Sequence, residues 1–260
     1  MLVFSAIMPH PPMSIAGIGS AQDFNLLSQT MKSFEKLRSC LEKSDPDTIV
    51  VISPHAHLEK YAFVVNSSED LIGSLNNFGL DGKHVFKNNL EIVDMLDYAC
   101  MANEMPCLLC EEELDHGALV PLLHLTKNIK PKIVHLSFSL MDYKNHYLYG
   151  QIIQGVLDLS GAGRVAVIAS GDLSHKLSKN SPAGYSSIAK DFDRDVLHFL
   201  GSGDLVSLMG MENETIKKAA ECGLRSIIIL LGILHEKKYK FELLSYEAPF
   251  GIGYLTAKLL

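Results

Sequence analysis

Short apolar runs alternating with longer amphipathic segments predict one α/β domain over residues 1–260, a mixed, largely parallel sheet with helices on both faces. Three observations carry this expectation. Leu2–Met8, Thr48–Ile52, Lys132–Leu136 and Arg164–Ala169 are short continuous apolar runs, as buried strands are. Segments of helical periodicity lie between them. No internal repeat and no long linker divides the chain.

In chain order, Leu2–Met8 is a buried strand that ends at Pro9. Gln22–Lys43 places Phe24, Leu27, Met31, Phe34, Leu37 and Leu41 at three- and four-residue spacings and predicts one amphipathic helix. Asp45-Pro46-Asp47 stops it before the Thr48–Ile52 strand, and Tyr61–Asn66 is a further strand. Ser67–Asn88, rich in Asn, Gly and Ser, is expected as a loop excursion with a short strand or turn. Leu90–Asn103 is helical, Cys107–Cys110 a short strand, and Leu119–Thr126 belongs to a helix opening after His116-Gly117. A helix over roughly 147–157 separates the strands at Lys132 and Arg164, and Tyr185–Leu200 is another. A helix through Thr215–Leu224 is expected to run on into the apolar stretch beyond it. Lys240–Tyr246 and Gly253–Ala257 close the chain as strands.

With 47% hydrophobic and 20% charged residues the composition is that of a folded globular protein. A net charge of −7 argues against nucleic-acid binding, which needs a basic face. Five cysteines without a regular framework fit a reducing, cytosolic setting, and the lone Cys107-x-x-Cys110 pair is expected to be packing rather than a zinc site. The longest apolar run, Ser226–Leu234, is about half the roughly 20 residues a membrane span requires.

Chemistry concentrates in four histidine motifs: Pro9-His10-Pro11-Pro12, Pro54-His55-Ala56-His57, Asp115-His116-Gly117 and Ser170-Gly171-Asp172-Leu173-Ser174-His175. Imidazole suits both transition-metal binding and proton transfer near neutral pH. Ligands in such folds sit outside the carboxyl ends of the strands, where His10, His55 and His175 are expected. The prolines around His10 stiffen its loop. His55 comes directly off a strand, whereas His57, two residues on, is the weaker candidate. Asp115 is placed to open a helix and Asp172 to orient an imidazole. Two histidines plus one anionic ligand leave positions open for substrate and dioxygen and suit non-haem iron(II). Glu221, Cys222 and Glu247 are the candidates; on a helix Glu221 and Cys222 would diverge by about 100°. Glu247 can instead bond local amides. A serine hydrolase using Ser170 or Ser174 with His175 and Asp172 is a third, disfavoured reading, because no Gly-x-Ser-x-Gly elbow is present and residues so close in sequence seldom form a triad; labelling by a fluorophosphonate probe would revive it.

Together with Val120-Pro121-Leu122, Glu221-Cys222-Gly223-Leu224-Arg225 and Ser245-Tyr246-Glu247-Ala248-Pro249-Phe250-Gly251, these motifs resemble the class III extradiol ring-cleaving dioxygenase B-subunit family, over nearly the whole chain. The closest likeness is to its AmmeMemoRadiSam-associated branch, with Memo proteins as more distant kin. The resemblance implies iron(II) held by His10, His55 and Glu221, with His175 as the base for a catechol hydroxyl and His116 binding substrate or the oxygen-derived species. It implies a small aromatic substrate and dioxygen, with a homo-oligomeric assembly. Memo-type relatives carry a cysteine matching Cys222; this opens zinc or copper as the metal and a partner role beside AMMECR-type and radical-SAM proteins. Glu247, His57 and Asp172 remain further site-lining candidates.

Overall fold

The computed structural model describes residues 1–159, 161 and 163–260. Its centre is an eight-stranded sheet. The strands are β1 (Leu2–Met8), β2 (Thr48–Ser53), β3 (Phe63–Asn66), β6 (Cys107–Cys110), β7 (Lys132–Ser137), β8 (Val165–Ser170), β9 (Glu242–Glu247) and β10 (Tyr254–Lys258), in spatial order β6-β3-β7-β2-β8-β1-β10-β9. The central four, β7, β2, β8 and β1, run parallel. Antiparallel pairs occur toward the margins, where β3 meets β7 and β10 joins β1 to β9. The mixed sheet covered on both faces is the predicted architecture.

Central strands bury both faces because neighbouring residues feed different cores. Ile49 and Val51 join Phe4, Ala6 and Met8 under α2 (Ser28–Ser44) and α4 (His116–Leu125). Val50 and Ile52 point the other way, into the larger core that holds Ile227 to Leu231 and Tyr149. That core is roofed by α3 (Leu90–Ala102), α5 (Tyr143–Leu159), α6 (Ala189–Ser202) and α9 (Leu224–Ile233). Gly150 on α5 faces Gly232 on α9, and a side chain at either would enter the other helix's backbone, so the two helices touch along their main chains.

Three expectations are corrected. The helix expected over Gln22–Lys43 is broken at Leu27 into α1 (Ala21–Leu26), opened by a Ser20–Asp23 capping box, and α2. The stretch expected as a loop excursion is a two-stranded hairpin, β4 (Asp70–Leu75) and β5 (Leu80–Lys87), turned at Gly79 with φ +82°. Its polar residues point outward while Leu71, Gly73 and Leu75 are buried, an alternation that the high Asn and Gly content obscured. The helix expected from Thr215 onward stops after α8 (Asn213–Ala219), because Ala220 turns left-handed at φ 55°. Glu221, Cys222 and Gly223 therefore lie in a turn ahead of α9, and the 100° helical divergence does not apply to them. A short helix α7 (Leu205–Met209), not expected, precedes α8. Among the described residues, no helix is long and apolar enough to cross a membrane.

Candidate metal centre

Parallel pairing sets the ends of the central strands in one row, with Met8 opposite Ser170, Ile52 opposite Ala169 and Ser53 opposite Ser137. His10, His55 and Asp172 each lie two residues past the end of their strand. The common offset brings them together at the carboxyl edge of the sheet.

His10 stands at the middle. Its Nε2 is 3.1 Å from His55 Nε2, 3.7 Å from Asp172 Oδ2 and 3.8 Å from Cys222 Sγ, and its main-chain N–H donates to Asp172 Oδ1 at 3.0 Å. His116 stacks on His55 with ring centroids 4.4 Å apart and lies 5.3 Å from His10. Among the described residues, two sets of donor atoms fall within 4.8 Å of one another: His10, His55 and His116, and His10, Asp172 and Cys222.

The tautomer of His10 follows from the neighbouring helix. Pro121, inside α4, has no N–H for the carbonyl of Gly117 four residues back. The Ser170 hydroxyl fills that gap, donating to Gly117 O at 2.6 Å. With its proton spent there, Ser170 Oγ accepts from His10 Nδ1–H at 2.9 Å. His10 Nε2 is therefore a bare lone pair aimed into the cluster, the state a metal ligand needs.

Electrostatics agree with that state. Burial, then the His116 ring, push the pKa of His10 down to about 3; Asp115 opposes them, and His175 adds a lesser downward push. Burial and the rings of His10 and His116 do the same to His55, also to about 3. Burial lowers His116 as well, opposed by Asp115 and Asp172. In all three imidazoles the shift favours the neutral form. Asp172 is pushed up to about 6 by burial, and burial drives the Cys222 thiol upward too. A cation among these groups would favour both anionic forms.

Asp115 ties the site to the scaffold. It caps α4, with Oδ1 accepting from Gly117 N–H at 2.7 Å, Ala118 N–H at 3.2 Å and Ser53 Oγ–H at 2.6 Å, while Oδ2 meets His135 Nε2 at 3.1 Å. Burial alone would raise its pKa, but the His135 and Ser53 contacts outweigh it and hold the carboxyl below the usual range. Asp115→Ala removes a helix cap and strands buried partners, so a loss of about 2–4 kcal/mol is expected in denaturant unfolding. An unchanged midpoint would contradict this role.

Of the residues singled out in the sequence, His10, His55, His116, Asp172 and Cys222 come together. His175 approaches Asp172 Oδ2 at 3.9 Å through Nε2, and its Nδ1 is buried without a partner among the described residues. The others are engaged elsewhere. Glu221 Oε2 accepts from Leu224 N–H at 2.6 Å at the start of α9. Glu247 Oε1 accepts from Thr30 N–H at 2.7 Å in the first turn of α2. His57 is exposed and pairs with Glu59 at 2.9 Å. Cys107 and Cys110 are free thiols on the edge strand β6. Sequence reasoning missed Ser170 as a partner of His10, His135 behind Asp115, and Phe78, whose ring lies 5.1 Å from His116. Phe78 comes from the β4–β5 hairpin, so no signal was available once that stretch was read as a loop. A cavity of about 780 Å³ between α3 and α5 is lined by none of these groups.

Residues 5–257 match the family described as the catalytic LigB subunit of aromatic ring-opening dioxygenase. Protein CA_C1420 of Clostridium acetobutylicum is 30% identical over 265 residues; the match covers 97% of this chain and 56% of that protein, so this chain spans little more than half its length. A 3,4-dihydroxyphenylacetate 2,3-dioxygenase of Escherichia coli is 26% identical over 225 residues, 78% of this chain and 79% of that enzyme. Among solved structures, an uncharacterized protein JW3007 from Escherichia coli K12 superposes with a TM-score of 0.69 at 18% identity, covering 99% of this chain and all of that one, a likeness of fold.

Proposed function

The chain belongs to the family of the catalytic LigB subunit of aromatic ring-opening dioxygenases, and on that premise we propose that it opens the ring of a small catechol-like aromatic with dioxygen at a metal held by the His10 cluster. The observation that carries this reading is the pair of Nε2 atoms 3.1 Å apart, one on the buried His10 and one on the exposed His55, both shifted toward the neutral imidazole. Two nitrogens each about 2.0–2.1 Å from one ion stand roughly that far apart, so the residues fit a metal. His10 and His55 would hold it. Cys222 or Asp172, both in His10's donor group, is better placed to supply the anion than Glu221, whose carboxylate is committed to the start of α9. Iron(II) bound there would supply a Lewis-acidic, redox-active centre with positions left open for a catecholate and dioxygen.

The chain's own residues divide the remaining work. Ser170 keeps His10 in one tautomer, and Asp115 holds the Ser53 hydroxyl and the start of α4, which carries His116. His175 lies at the edge of the cluster with its Nε2 3.9 Å from Asp172 Oδ2, and that nitrogen would take the phenolic proton. His116, flat against His55 and beneath Phe78, forms an aromatic wall for a planar substrate. Ring cleavage would put both oxygen atoms of dioxygen into the opened product.

Anaerobically prepared, iron-loaded protein is expected to consume dioxygen with at least one member of a catechol panel and to yield a ring-opened chromophore. Absence of uptake across the panel, with iron bound, would refute ring cleavage.

The thiol of Cys222 favours a second reading. A sulfur donor suits softer metals such as zinc or copper. A metal-binding protein that works beside AMMECR-type and radical-SAM proteins would then replace the ring-cleaving enzyme. Capture of those two proteins, combined with no oxygen uptake, would distinguish it.

A further inference from the structure

A cleft of about 520 Å³ opens between the start of α5, the α7–α8 connection and the first turn of α9. None of its lining residues belongs to the histidine cluster. Arg225 stands in its wall, and the chain's other three arginines show what is unusual about it. Arg38 faces Glu42, Arg194 pairs with Asp191 and Asp195, and Arg164 donates to the carbonyls of Ser44 and Asp45. Arg225 instead has a buried Nε with no hydrogen-bond partner among the described residues. Its guanidinium carbon lies 5.3 Å from the Tyr143 ring centre and 5.7 Å from that of Phe138. Two aromatic rings hold the cation in place but accept none of its N–H bonds.

The neighbouring acids do not complete it. Asp142, in the same cleft, accepts from Asn145 N–H and Nδ2–H at 2.9 and 2.7 Å. Glu221 offers Arg225 opposite charge nearby, but its Oε2 accepts from Leu224 N–H and it makes no hydrogen bond to the guanidinium among the described residues. Lys144 adds a second positive charge to the lining, and Met141, Met209, Met211 and Leu140 add soft apolar surface. A pre-positioned planar fork of donors beside adaptable methionines suits a carboxylate attached to an apolar body.

We propose that this cleft is a binding site for an aromatic or aliphatic carboxylate, with Arg225 as its anchor, separate from the proposed metal centre. The site uses Arg225 for the anion, Tyr143 and Phe138 to hold that guanidinium, and the methionines for the ligand's body.

Benzoate and inorganic phosphate, titrated calorimetrically into the full chain, test this. Wild type is expected to bind one benzoate and to bind phosphate more weakly. Arg225→Gln should weaken benzoate by roughly tenfold or more while metal content is unchanged, and Arg225→Lys, which keeps charge but loses the fork, should fall between. Asn213→Asp is a second variant, at an exposed lining position, in case Arg225→Gln does not fold; its added negative charge should weaken benzoate. No benzoate binding by wild type, equal affinity in folded Arg225→Gln, equal affinity in Asn213→Asp, or tighter binding of phosphate would each overturn the proposal.

Discussion

His10→Ala is expected to reduce metal content from about one equivalent to near none, and dioxygen uptake with it. His10 is the only side chain shared by both donor groups, so its loss leaves neither group complete. It also removes one of the two partners of Ser170 Oγ and opens space beside Asp172 and Cys222. Elemental analysis of protein prepared under anaerobic conditions reads the result directly. Stoichiometric metal in a folded His10→Ala protein would mean that the ion sits elsewhere.

The second large effect comes from a position with no functional group. Gly171 follows β8, and a Cβ there would fall inside the backbone of Gly223. Neither side of that contact is a flexible side chain. Both Cys222 N–H and Gly223 N–H donate to the carbonyl of Asp172, at 3.2 and 3.0 Å, so the two turns are stitched together at the same place. Gly171→Ala must pry them apart, at a cost of about 3 kcal/mol or more, and carry Cys222 away from His10. Gly223→Ala meets its nearest atoms at 3.0–3.2 Å and should be milder, about 1–2 kcal/mol. Urea unfolding with metal analysis separates the two. Equal, small effects would show that the turns yield easily.

What the sequence made legible was whatever depends on short-range pattern. His10, His55 and Asp172 could be placed because proline or glycine follows an apolar run closely, and the row of strand ends did the rest. The break before Glu221 was illegible for a physical reason. Alanine is the best helix former, so a left-handed Ala220 carries no local mark, and the apolar period of residues 224–233 continues the pattern across the gap. That single dihedral decides whether Cys222 faces the histidines. Likewise, Glu247 reaches the start of α2, more than 200 residues away in sequence, a pairing no local signal encodes. Ser170 was visible only as a serine in a motif; its role depends on Pro121 leaving Gly117 O unpaired on a different element.

His10 meets Ser170, Asp172 and Cys222 across sequence separations of 160, 162 and 212 residues. During synthesis it is thus the first of these groups to leave the ribosome and must wait for the others. A metal site that drew on Cys222 would be complete only once that residue had emerged, and such distant pairings form slowly. Loading of such a site would therefore be a late event in biogenesis.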